Sequence, residues 1–294
     1  MYLLVGATSK LGSRVARRLL AEGKPVRAMT RTPLSGKADE LKKLGAEIAQ
    51  GDLRDRASLV RACAGVEKLL DAAHAFPGEK DNNPITVDDA GNCALIDAAK
   101  AAGVKHFVFT SMLGAGPNHP IDFFRIKIKI EGRLRESGMS YTILRPSAYM
   151  EFWAALVGEP IVKTGKTTIF GRGNNPINFV SADDVARYAL IALEDPRARN
   201  QIIEIGGPEN LTVNQVAELF EKLVGRPAQK SRVPLPMMRV MSAMMRPFNP
   251  AMSRQIGAAI VMDTADCTFD PSRTLKQFPV QLTKLEEYAR AVYA

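Results

Sequence analysis

Residues 2–12 of this 294-residue chain read YLLVGATSKLG, an apolar run that passes into a turn containing two glycines. Residues 13–22 then space their apolar side chains along one face of a helix, and residues 25–30 form a second apolar run. The order strand, glycine turn, helix, strand brings backbone N–H groups and a helix N-terminus to the place where a dinucleotide pyrophosphate binds. We interpret residues 6–12 as a phosphate cradle.

The glycine pattern of the phosphate cradle is incomplete. Gly6 and Gly12 keep the outer spacing, whereas Ser9 stands where a three-glycine pattern has its central glycine. Gly6 permits a tight turn and Gly12 permits close packing of helix on strand. Ser9 keeps a backbone N–H and adds a hydroxyl for phosphate, but it tolerates unusual dihedral angles less well than glycine. The spacing alone also allows a plain strand-to-helix turn.

Arg31 follows the second apolar run and bears on the choice of cofactor. NAD sites carry a carboxylate near this position for the ribose hydroxyls, whereas an arginine suits a 2′-phosphate. Residues 23–38 contain no Asp or Glu, so no nearby carboxylate repels that phosphate, and Lys10 and Arg14 add positive charge. We predict NADP(H) in preference to NAD(H). The alternative is that Arg31 is a solvated loop arginine.

Composition limits the class of protein. The chain is 46% apolar and 24% charged, as in ordinary globular proteins. It has no apolar run that could span a bilayer, and its first strand starts at the N-terminus, so we expect no signal peptide and a cytoplasmic location. The net charge of +9 is spread along the chain, which predicts no nucleic-acid partner. Three scattered histidines and three distant cysteines match no metal site or disulfide framework.

Strand and helix patterns alternate through the first half of the chain. This alternation predicts an α/β fold, a Rossmann-type doubly wound parallel sheet with a smaller α+β C-terminal substrate region. We place the dinucleotide-binding core at 1–150 and the C-terminal substrate or partner region at 151–294, interleaved with the core in one structural unit. Ligands of such sheets bind beyond the carboxyl ends of the strands.

Five helix and loop predictions are specific enough to compare with the structure. We expect a helix over 55–64 with Asp55 as its N-cap, a long helix over 87–102, strand-and-turn structure over 158–179, a helix to residue 194 capped by Asp183 or Asp184, and a helix to Val224 capped by Thr212.

A methionine-rich segment lies at 237–252. It carries Met237, Met238, Met241, Met244, Met245 and Met252. Methionine fills adaptable cores and promiscuous surfaces. We favour core packing or self-association, which includes a homodimer, over a lid that closes on an apolar substrate.

Several segments together resemble the atypical short-chain dehydrogenases/reductases of the NmrA-like group. They read GATSKLG at 6–12, GDL at 51–53, AKAAGVKHFVFTS at 99–111, YTILRP at 141–146 and NFVSADDVA at 178–186. The ordered set covers nearly the whole chain. The C-terminal part also resembles, more loosely, the accessory dinucleotide-binding subunit of respiratory complex I and photosystem assembly factors of the same group.

The resemblance implies cofactor contacts at positions that match its motifs. Those implied for the pyrophosphate are Gly6, Thr8, Ser9, Leu11 and Gly12, with Arg31 on the 2′-phosphate. Those implied for the rest of the cofactor are Asp52 and Leu53 beside the adenine, Ala73 and His74 beside the ribose, Thr110, Ser111 and Pro146 beside the nicotinamide, and Lys127 on the nicotinamide ribose.

Phe123 departs from the catalytic pattern of that family. The pattern has a tyrosine four residues before the lysine, on the same helix face, and its phenol acts as general acid or base. Phe123 cannot transfer a proton. Lys127 then has two possible roles: a general acid whose pKa is lowered by burial and by neighbouring cations, or a ribose-binding residue, which we favour.

Candidate substrate-pocket residues are Met112, His119, Tyr149 and Trp153. His119 lies in the loop over 114–120 and offers a proton donor, although a lone loop histidine is more often solvated. Tyr149 and Trp153 either line the pocket or pack in the core.

Two functional hypotheses follow, and they differ on whether the chain is an enzyme. The first is an NADPH-dependent oxidoreductase that reduces a small apolar carbonyl, quinone or ene compound, because the cofactor carries the hydride chemistry. The second is a non-catalytic dinucleotide-binding redox sensor or assembly factor that docks a protein partner, because of Phe123. A sugar-nucleotide epimerase is a distant third, since its chemistry needs the missing tyrosine.

Overall fold

The computed structural model of the chain describes residues 1–78 and 80–293. Its strands are β1 (Tyr2–Val5), β2 (Val26–Thr30), β3 (Glu47–Gln50), β4 (Lys68–Asp71), β5 (His106–Thr110), β6 (Ser140–Pro146), β7 (Ala148–Tyr149), β8 (Lys166–Phe170), β9 (Ile177–Val180), β10 (Gln201–Ile205), β11 (Asn210–Leu211) and β12 (Gln229–Val233).

The α-helices are α1 (Lys10–Ala21), α2 (Gly36–Lys43), α3 (Arg56–Cys63), α4 (Asn92–Ala101), α5 (Asp122–Glu136), α6 (Ala155–Thr164), α7 (Ala182–Glu194), α8 (Val213–Val224), α9 (Leu235–Met245), α10 (Pro250–Thr264), α11 (Ser272–Gln277) and α12 (Leu285–Tyr293). Two π-helical segments, Pro84–Gly91 and Met150–Ala154, and a 3₁₀ turn, Pro196–Ala198, complete the elements.

A seven-stranded sheet carries the order β10-β6-β5-β4-β1-β2-β3. The pairs from β6 through β3 are all parallel, and with its flanking helices this sheet confirms the predicted Rossmann-type α/β fold. The chain order reverses between β1 and β4, which is the switch point where ligands of doubly wound sheets bind. The phosphate cradle starts directly after β1, so the fold places it at that switch point.

The inner strands are apolar because both faces of the sheet are covered. All four residues of β1 are buried, as are the first four residues of β5, in agreement with the continuous apolar runs of parallel strands. Local signals set the helix starts. Asp55 caps α3 through its side chain, and Thr212 caps α8 in a capping box with Gln215, as the sequence predicts.

The helix predicted over 87–102 differs from the observed structure. A π-helical segment occupies Pro84–Gly91, and the α-helix α4 begins only at Asn92. The apolar spacing could not distinguish a π-helix from an α-helix, because the two differ in their backbone hydrogen bonds. Single π-helical turns are often found at functional sites.

The strand-and-turn prediction over 158–179 is wrong for its first part, which is the helix α6. Gly158 and Pro160 have low helix propensity, but both lie inside the helix. Tertiary packing overrides the weak propensity: a Cβ on Gly158 would lie 2.3 Å from the Phe220 ring, and Ile161 is fully buried.

The predicted caps of α7 are also wrong. The helix begins at Ala182, whose N–H donates to both carboxylate oxygens of Glu151 at 3.0 Å, and the Asp183 N–H donates to Ser181 Oγ at 3.1 Å. Asp184 instead accepts hydrogen bonds from the N–H and hydroxyl of Thr283, both at 2.8 Å. The acidic pair therefore lies within the first turn, where carboxylates still suit the helix dipole.

Two compact units divide the chain, and each is built from two stretches of sequence. The first comprises Met1–Arg145 and Val185–Glu204, and the second comprises Pro146–Asp184 with residues 205 to the C-terminus. The division at residue 150 stays a prediction, and its last residue, Ala294, lies outside the described residues.

The second unit contains a three-stranded sheet, β11-β9-β7, and a two-stranded sheet, β12-β8. Its core includes Phe179, Phe220 and Tyr288. The methionine-rich segment forms α9 and the start of α10. Only Met238 of its six methionines is buried, while Met237, Met241, Met244 and Met252 are exposed. Core packing therefore accounts for little of this segment, and the predicted homodimer stays a prediction.

Candidate functional site

The phosphate cradle is closed by backbone packing that only glycine permits. Gly6 has φ +75°, and a Cβ there would lie 3.0 Å from Ala72 C and from Ala73 N. A Cβ on Gly12 would lie 2.3 Å from the Gly6 carbonyl oxygen. Both glycines therefore bring the start of α1 against the ends of β1 and β4, and this close approach is what a pyrophosphate site needs.

Ser9 fits the phosphate cradle without strain. Its φ of −72° and ψ of 168° are extended values that any residue adopts. Its N–H donates to the Gly6 carbonyl at 2.9 Å, and its Oγ accepts the Gly12 N–H at 3.0 Å. The hydroxyl is thus the N-cap of α1. Thr8 is half-buried, Lys10 is exposed at the first position of the helix, and Leu11 is buried.

Arg31 lies exposed after β2, with Nη1 donating to Asn82 Oδ1 at 2.8 Å. After β3, the Asp52 carboxylate accepts hydrogen bonds from Arg54 Nε at 3.0 Å and Nη2 at 2.6 Å. Arg54 holds the pKa of Asp52 below its ordinary value, and Arg31 adds to this lowering. The tertiary structure therefore brings a carboxylate into electrostatic range of Arg31, although none is near it in sequence. Arg54, which the sequence reading missed, offsets that charge.

The other predicted adenine and ribose residues surround the same sheet edge. Leu53 is buried against Gly91, where a Cβ would meet the Leu53 Cβ at 2.8 Å. The Ala73 N–H donates to Asp71 Oδ1 at 3.0 Å. His74 is exposed, and its Nδ1 accepts the Phe76 N–H at 3.3 Å.

Thr110 and Ser111 end β5 and have different surroundings. Thr110 Oγ1 is buried and makes no hydrogen bond within residues 1–78 and 80–293. Buried polar atoms in native proteins nearly always have a hydrogen-bond partner, so this hydroxyl is available to form a hydrogen bond with a ligand. Together with the glycine packing of the phosphate cradle, it fits the predicted dinucleotide. Ser111 Oγ instead donates to Glu131 Oε1 at 2.6 Å.

Glu131 joins Ser111 to a buried ion pair. Its carboxylate is fully buried, and Arg145 donates to Oε1 through Nε at 3.0 Å and to Oε2 through Nη2 at 2.6 Å. The hydrogen bond to Glu131 raises the pKa of Arg145 above its ordinary value. The network fixes the ends of β5 and β6 beside α5, and Pro146 is the next residue of β6.

Lys127 is buried in a cluster of charged and aromatic groups. Its Nζ lies 3.1 Å from Asp88 Oδ1 and donates to the Thr110 carbonyl at 3.3 Å. Its side chain is 3% exposed, and that of Asp88 is 0% exposed. The Phe109 and Phe123 ring centroids lie 4.8 and 5.1 Å from Nζ, within cation–π range. Asp88 comes from the π-helical segment, and sequence reasoning had no signal for it.

Phe123 occupies the position of the missing tyrosine, one turn before Lys127 on α5. It is 5% exposed, and its ring makes edge contacts with the rings of Phe76 at 5.1 Å and His74 at 6.2 Å. The position is therefore a packed aromatic contact, and it offers no group that transfers a proton.

The four predicted substrate-pocket residues belong to different units. Met112 and His119 lie in the loop between β5 and α5 of the first unit, where His119 stacks on Phe124 at 3.8 Å. Its Nδ1 accepts the Ile121 N–H. Partial burial lowers the pKa of His119, which makes it a poor proton donor at neutral pH.

Tyr149 and Trp153 lie in the second unit. Burial raises the pKa of the Tyr149 phenol, with Glu151 adding to the effect. Trp153 packs edge-on against Phe152 and lines a largely apolar cavity of about 100 Å³ within this unit. Other residues of the cavity wall include Leu156, Phe170, Phe179 and Met262.

Neither a metal site nor a membrane span is visible in the described part of the chain. Residues 1–78 and 80–293 contain no group of three or more His, Cys, Asp or Glu side chains that could hold a metal ion. Within the same residues, no helix is long and apolar enough to cross a bilayer. The cytoplasmic location stays a prediction.

Comparison with known proteins covers nearly the whole chain. The model of the NmrA-like family matches residues 2–289. The photosystem II assembly factor Ycf39 of Trieres chinensis is 28% identical over 97% of this chain and 90% of its own length. NAD(P)H azoreductase of Xenophilus azovorans is 32% identical over 78% of this chain and 76% of its own.

A solved structure shares the fold over its full length. The NADPH-dependent quinone oxidoreductase of Escherichia coli, complexed with NADPH, is 26% identical and superimposes with a TM-score of 0.81 over 100% of both chains. The relatives thus include both reductases and an assembly factor.

Proposed function

Since the chain belongs to the NmrA-like family, we propose that it is an NADPH-dependent reductase of a small apolar carbonyl, quinone or ene compound. The observation that carries the proposal is the packing of Gly12 on the Gly6 carbonyl, which forms a phosphate cradle at the switch point of the sheet. The substrate class is supported by the azoreductase and the quinone oxidoreductase, which are similar to this chain.

The preference for NADP(H) rests on charge at the ends of β2 and β3. Arg31 is exposed there, and Arg54 binds the nearby Asp52 carboxylate, whose pKa Arg31 also helps to lower. A planar guanidinium suits bidentate binding of a 2′-phosphate, and Arg54 offsets the charge of Asp52.

Bound NADPH would supply the hydride, and the chain's own residues would bind, orient and handle protons. We propose that Lys127 acts by position. Its Nζ is held between Asp88 and the Thr110 carbonyl, and giving up its proton would leave a buried carboxylate without a cation, which is costly. The proton for the reduced substrate would then come from water, since Phe123 has none to give.

Turnover assays test this function. NADPH oxidation, followed at 340 nm against a panel of quinones, azo dyes and enals, should exceed the background for at least one class. The Lys127→Ala variant should bind NADPH and lose turnover. Tight NADPH binding with no turnover of any compound would contradict the reductase.

A second candidate is a non-catalytic redox sensor or assembly factor that docks a protein. Phe123 favours it, because the proton-donor position is filled by buried aromatic packing, and the similar photosystem II assembly factor gives a precedent. Affinity capture with NADP⁺ or NADPH present distinguishes the two. This candidate predicts a stable partner whose retention depends on the cofactor's redox state, and it fails if Lys127→Ala abolishes a measurable turnover.

A further inference from the structure

One cluster of side chains in the interior of the first unit contains more carboxylates than cations. Asp71 and Asp88 are 1% and 0% exposed, and Lys127 is 2% exposed. Lys127 Nζ lies 3.1 Å from Asp88 Oδ1, and the Ala75 N–H donates to Asp88 Oδ2 at 2.8 Å. The ammonium is thus the ion-pair partner of Asp88, although Asp88 Oδ1 makes no hydrogen bond within the described chain. Asp71 has no such cation of its own.

Asp71 is only half satisfied. Oδ1 accepts the Ala73 N–H at 3.0 Å, whereas Oδ2 is buried and makes no hydrogen bond within the described chain. If both acids were ionised, the cluster of two carboxylates and one ammonium would carry a net negative charge in the interior, which is costly. Burial raises the pKa of Asp71 to about 7, with Asp88 contributing, although Lys127 and the Ala73 N–H oppose the rise.

Asp71 also lies beside the phosphate cradle. It ends β4, and its register partner on β1 is Val5, the residue before Gly6. The backbone of Ala72 and Ala73 forms the wall that a Cβ on Gly6 would touch at 3.0 Å, and Asp71 Oδ1 holds the Ala73 N–H. The carboxyl group therefore fixes the backbone turn against which the phosphate cradle closes.

We propose that Asp71 is a proton-linked positioning residue, so that the phosphate cradle binds the dinucleotide tightly when the Asp71 carboxyl holds a proton and weakly when it is ionised. The inference rests on the proposed dinucleotide binding. A pyrophosphate brings negative charge next to a buried group, where electrostatic interactions are strong. Binding therefore favours the neutral acid, and an ionised Asp71 takes up one proton from solvent, with no other bond made or broken.

The groups that face Asp71 do not remove this charge. Lys127 on α5 attracts it, Asp88 in the π-helical segment repels it, and the Ala73 N–H binds only one oxygen. Register partners Val5 and Phe109 on the flanking strands are apolar. His74 also acts on Asp88 and Lys127, and desolvation lowers its pKa, which favours the neutral imidazole. A proton on Asp71 therefore makes the buried cluster neutral.

Fluorescence titration of the full chain with NADPH, from pH 6 to pH 8.5, tests the proposal. For one group that titrates near pH 7, the dissociation constant should rise about tenfold between pH 6 and pH 8. The matched variant Asp71→Asn keeps an acceptor for the Ala73 N–H and cannot ionise, so its affinity should not show this rise. The 2′-phosphate also titrates, near pH 6, but equally in both proteins, so the difference between their profiles is the measurement.

Calorimetry provides a second readout. At pH 7.5, in two buffers with different ionisation enthalpies, NADPH binding should take up protons in the wild type and fewer in Asp71→Asn. If Asp71→Asn does not fold, Asp88→Asn replaces it. That variant frees Lys127 to pair with Asp71 and removes the repelling charge, so the affinity midpoint should move to lower pH.

The outcomes separate the two proposals. If NADPH binds at no pH, the proposed function is wrong. If NADPH binds with the same pH profile and the same proton uptake in wild type and Asp71→Asn, the proposed function stands and the role of Asp71 is overturned. An unchanged midpoint in Asp88→Asn overturns it as well.

Discussion

The Gly6 carbonyl oxygen lies 2.3 Å from the position that a Cβ on residue 12 would take. The contact is with backbone, which cannot rotate away as the end of a flexible side chain can. Helix α1 therefore reaches its observed distance from β1 only because residue 12 has no side chain, and the first prediction follows from this pair.

Gly12→Ala should lower NADPH affinity by at least tenfold, because the added methyl pushes the start of α1 away from the turn at Gly6. The matched control is Gly132→Ala, in the interior of α5, where a Cβ meets nothing within 4 Å. That change should leave affinity unchanged and stabilise the fold by about 0.4–1 kcal/mol. Fluorescence titration and thermal unfolding give the two readouts. Equal affinities for the two variants would show that the phosphate cradle does not bind the cofactor.

Arg31→Ala should weaken NADPH binding and leave NADH binding nearly unchanged. A hydrogen bond to a charged group contributes about 1.5–3 kcal/mol, which corresponds to a loss of roughly 10- to 100-fold in affinity. Arg17→Ala is the control, since Arg17 pairs with Glu40 on the exposed surface of α1 and α2. The measurement is the ratio of the dissociation constants for NADPH and NADH. If Arg31→Ala loses affinity equally for both cofactors, Arg31 does not bind the 2′-phosphate.

Lys127→Met should destabilise the protein by about 3–5 kcal/mol, because it leaves buried carboxylates without their cation. Lys129→Met, two residues away, removes an ion pair with Asp89 in which the lysine side chain is 62% exposed, and such pairs contribute about 0–1 kcal/mol. Urea unfolding of both variants at pH 8 gives the comparison. Similar free energies of unfolding in the two would mean that the Lys127–Asp88 pair adds little to stability.

The pH dependence of stability should report on Asp71. Its pKa rises from 3.8 to about 7 in the folded chain, so the folded state holds a proton that the unfolded state has released. The free energy of unfolding then falls as pH rises from about 4 to 7, and the full stabilisation is present only at lower pH. Relative to Asp71→Asn, the wild type should lose about 3 kcal/mol between pH 5 and pH 8. If the free energies of unfolding of wild type and Asp71→Asn, measured in urea, change with pH in parallel, the pKa of Asp71 in the folded state is ordinary.

Two methionines on α9 should respond differently to truncation. Met238 is 1% exposed and Met244 is 61% exposed. Met238→Ala should cost about 2–5 kcal/mol through lost burial and a cavity, whereas Met244→Ala should stay within about 0.5 kcal/mol. Thermal unfolding checks both values. A large cost at Met244 in dilute protein would indicate that a second surface covers α9.

Local sequence predicts the glycine turn over 6–12 and the start of α1, whereas phosphate binding there stays a prediction. Gly6, Ser9 and Gly12 lie within one turn, and neighbouring residues set their conformations, so spacing and residue type are sufficient to predict the turn. The caps Asp55 and Thr212 were predicted for the same reason. The helix α6 was not, because Gly158 and Pro160 oppose a helix locally and only packing on Phe220 makes it favourable.

The sequence by itself determined the order of strands and helices, the glycine turn and the loss of the proton donor at Phe123, since each depends on residues near in the chain. Only the tertiary structure placed Asp71 and Asp88 around Lys127 and set Arg54 on the carboxylate near Arg31. These groups meet through strand order and a π-helical turn, which no local pattern encodes. Their protonation depends on burial, and burial exists only once the chain has folded.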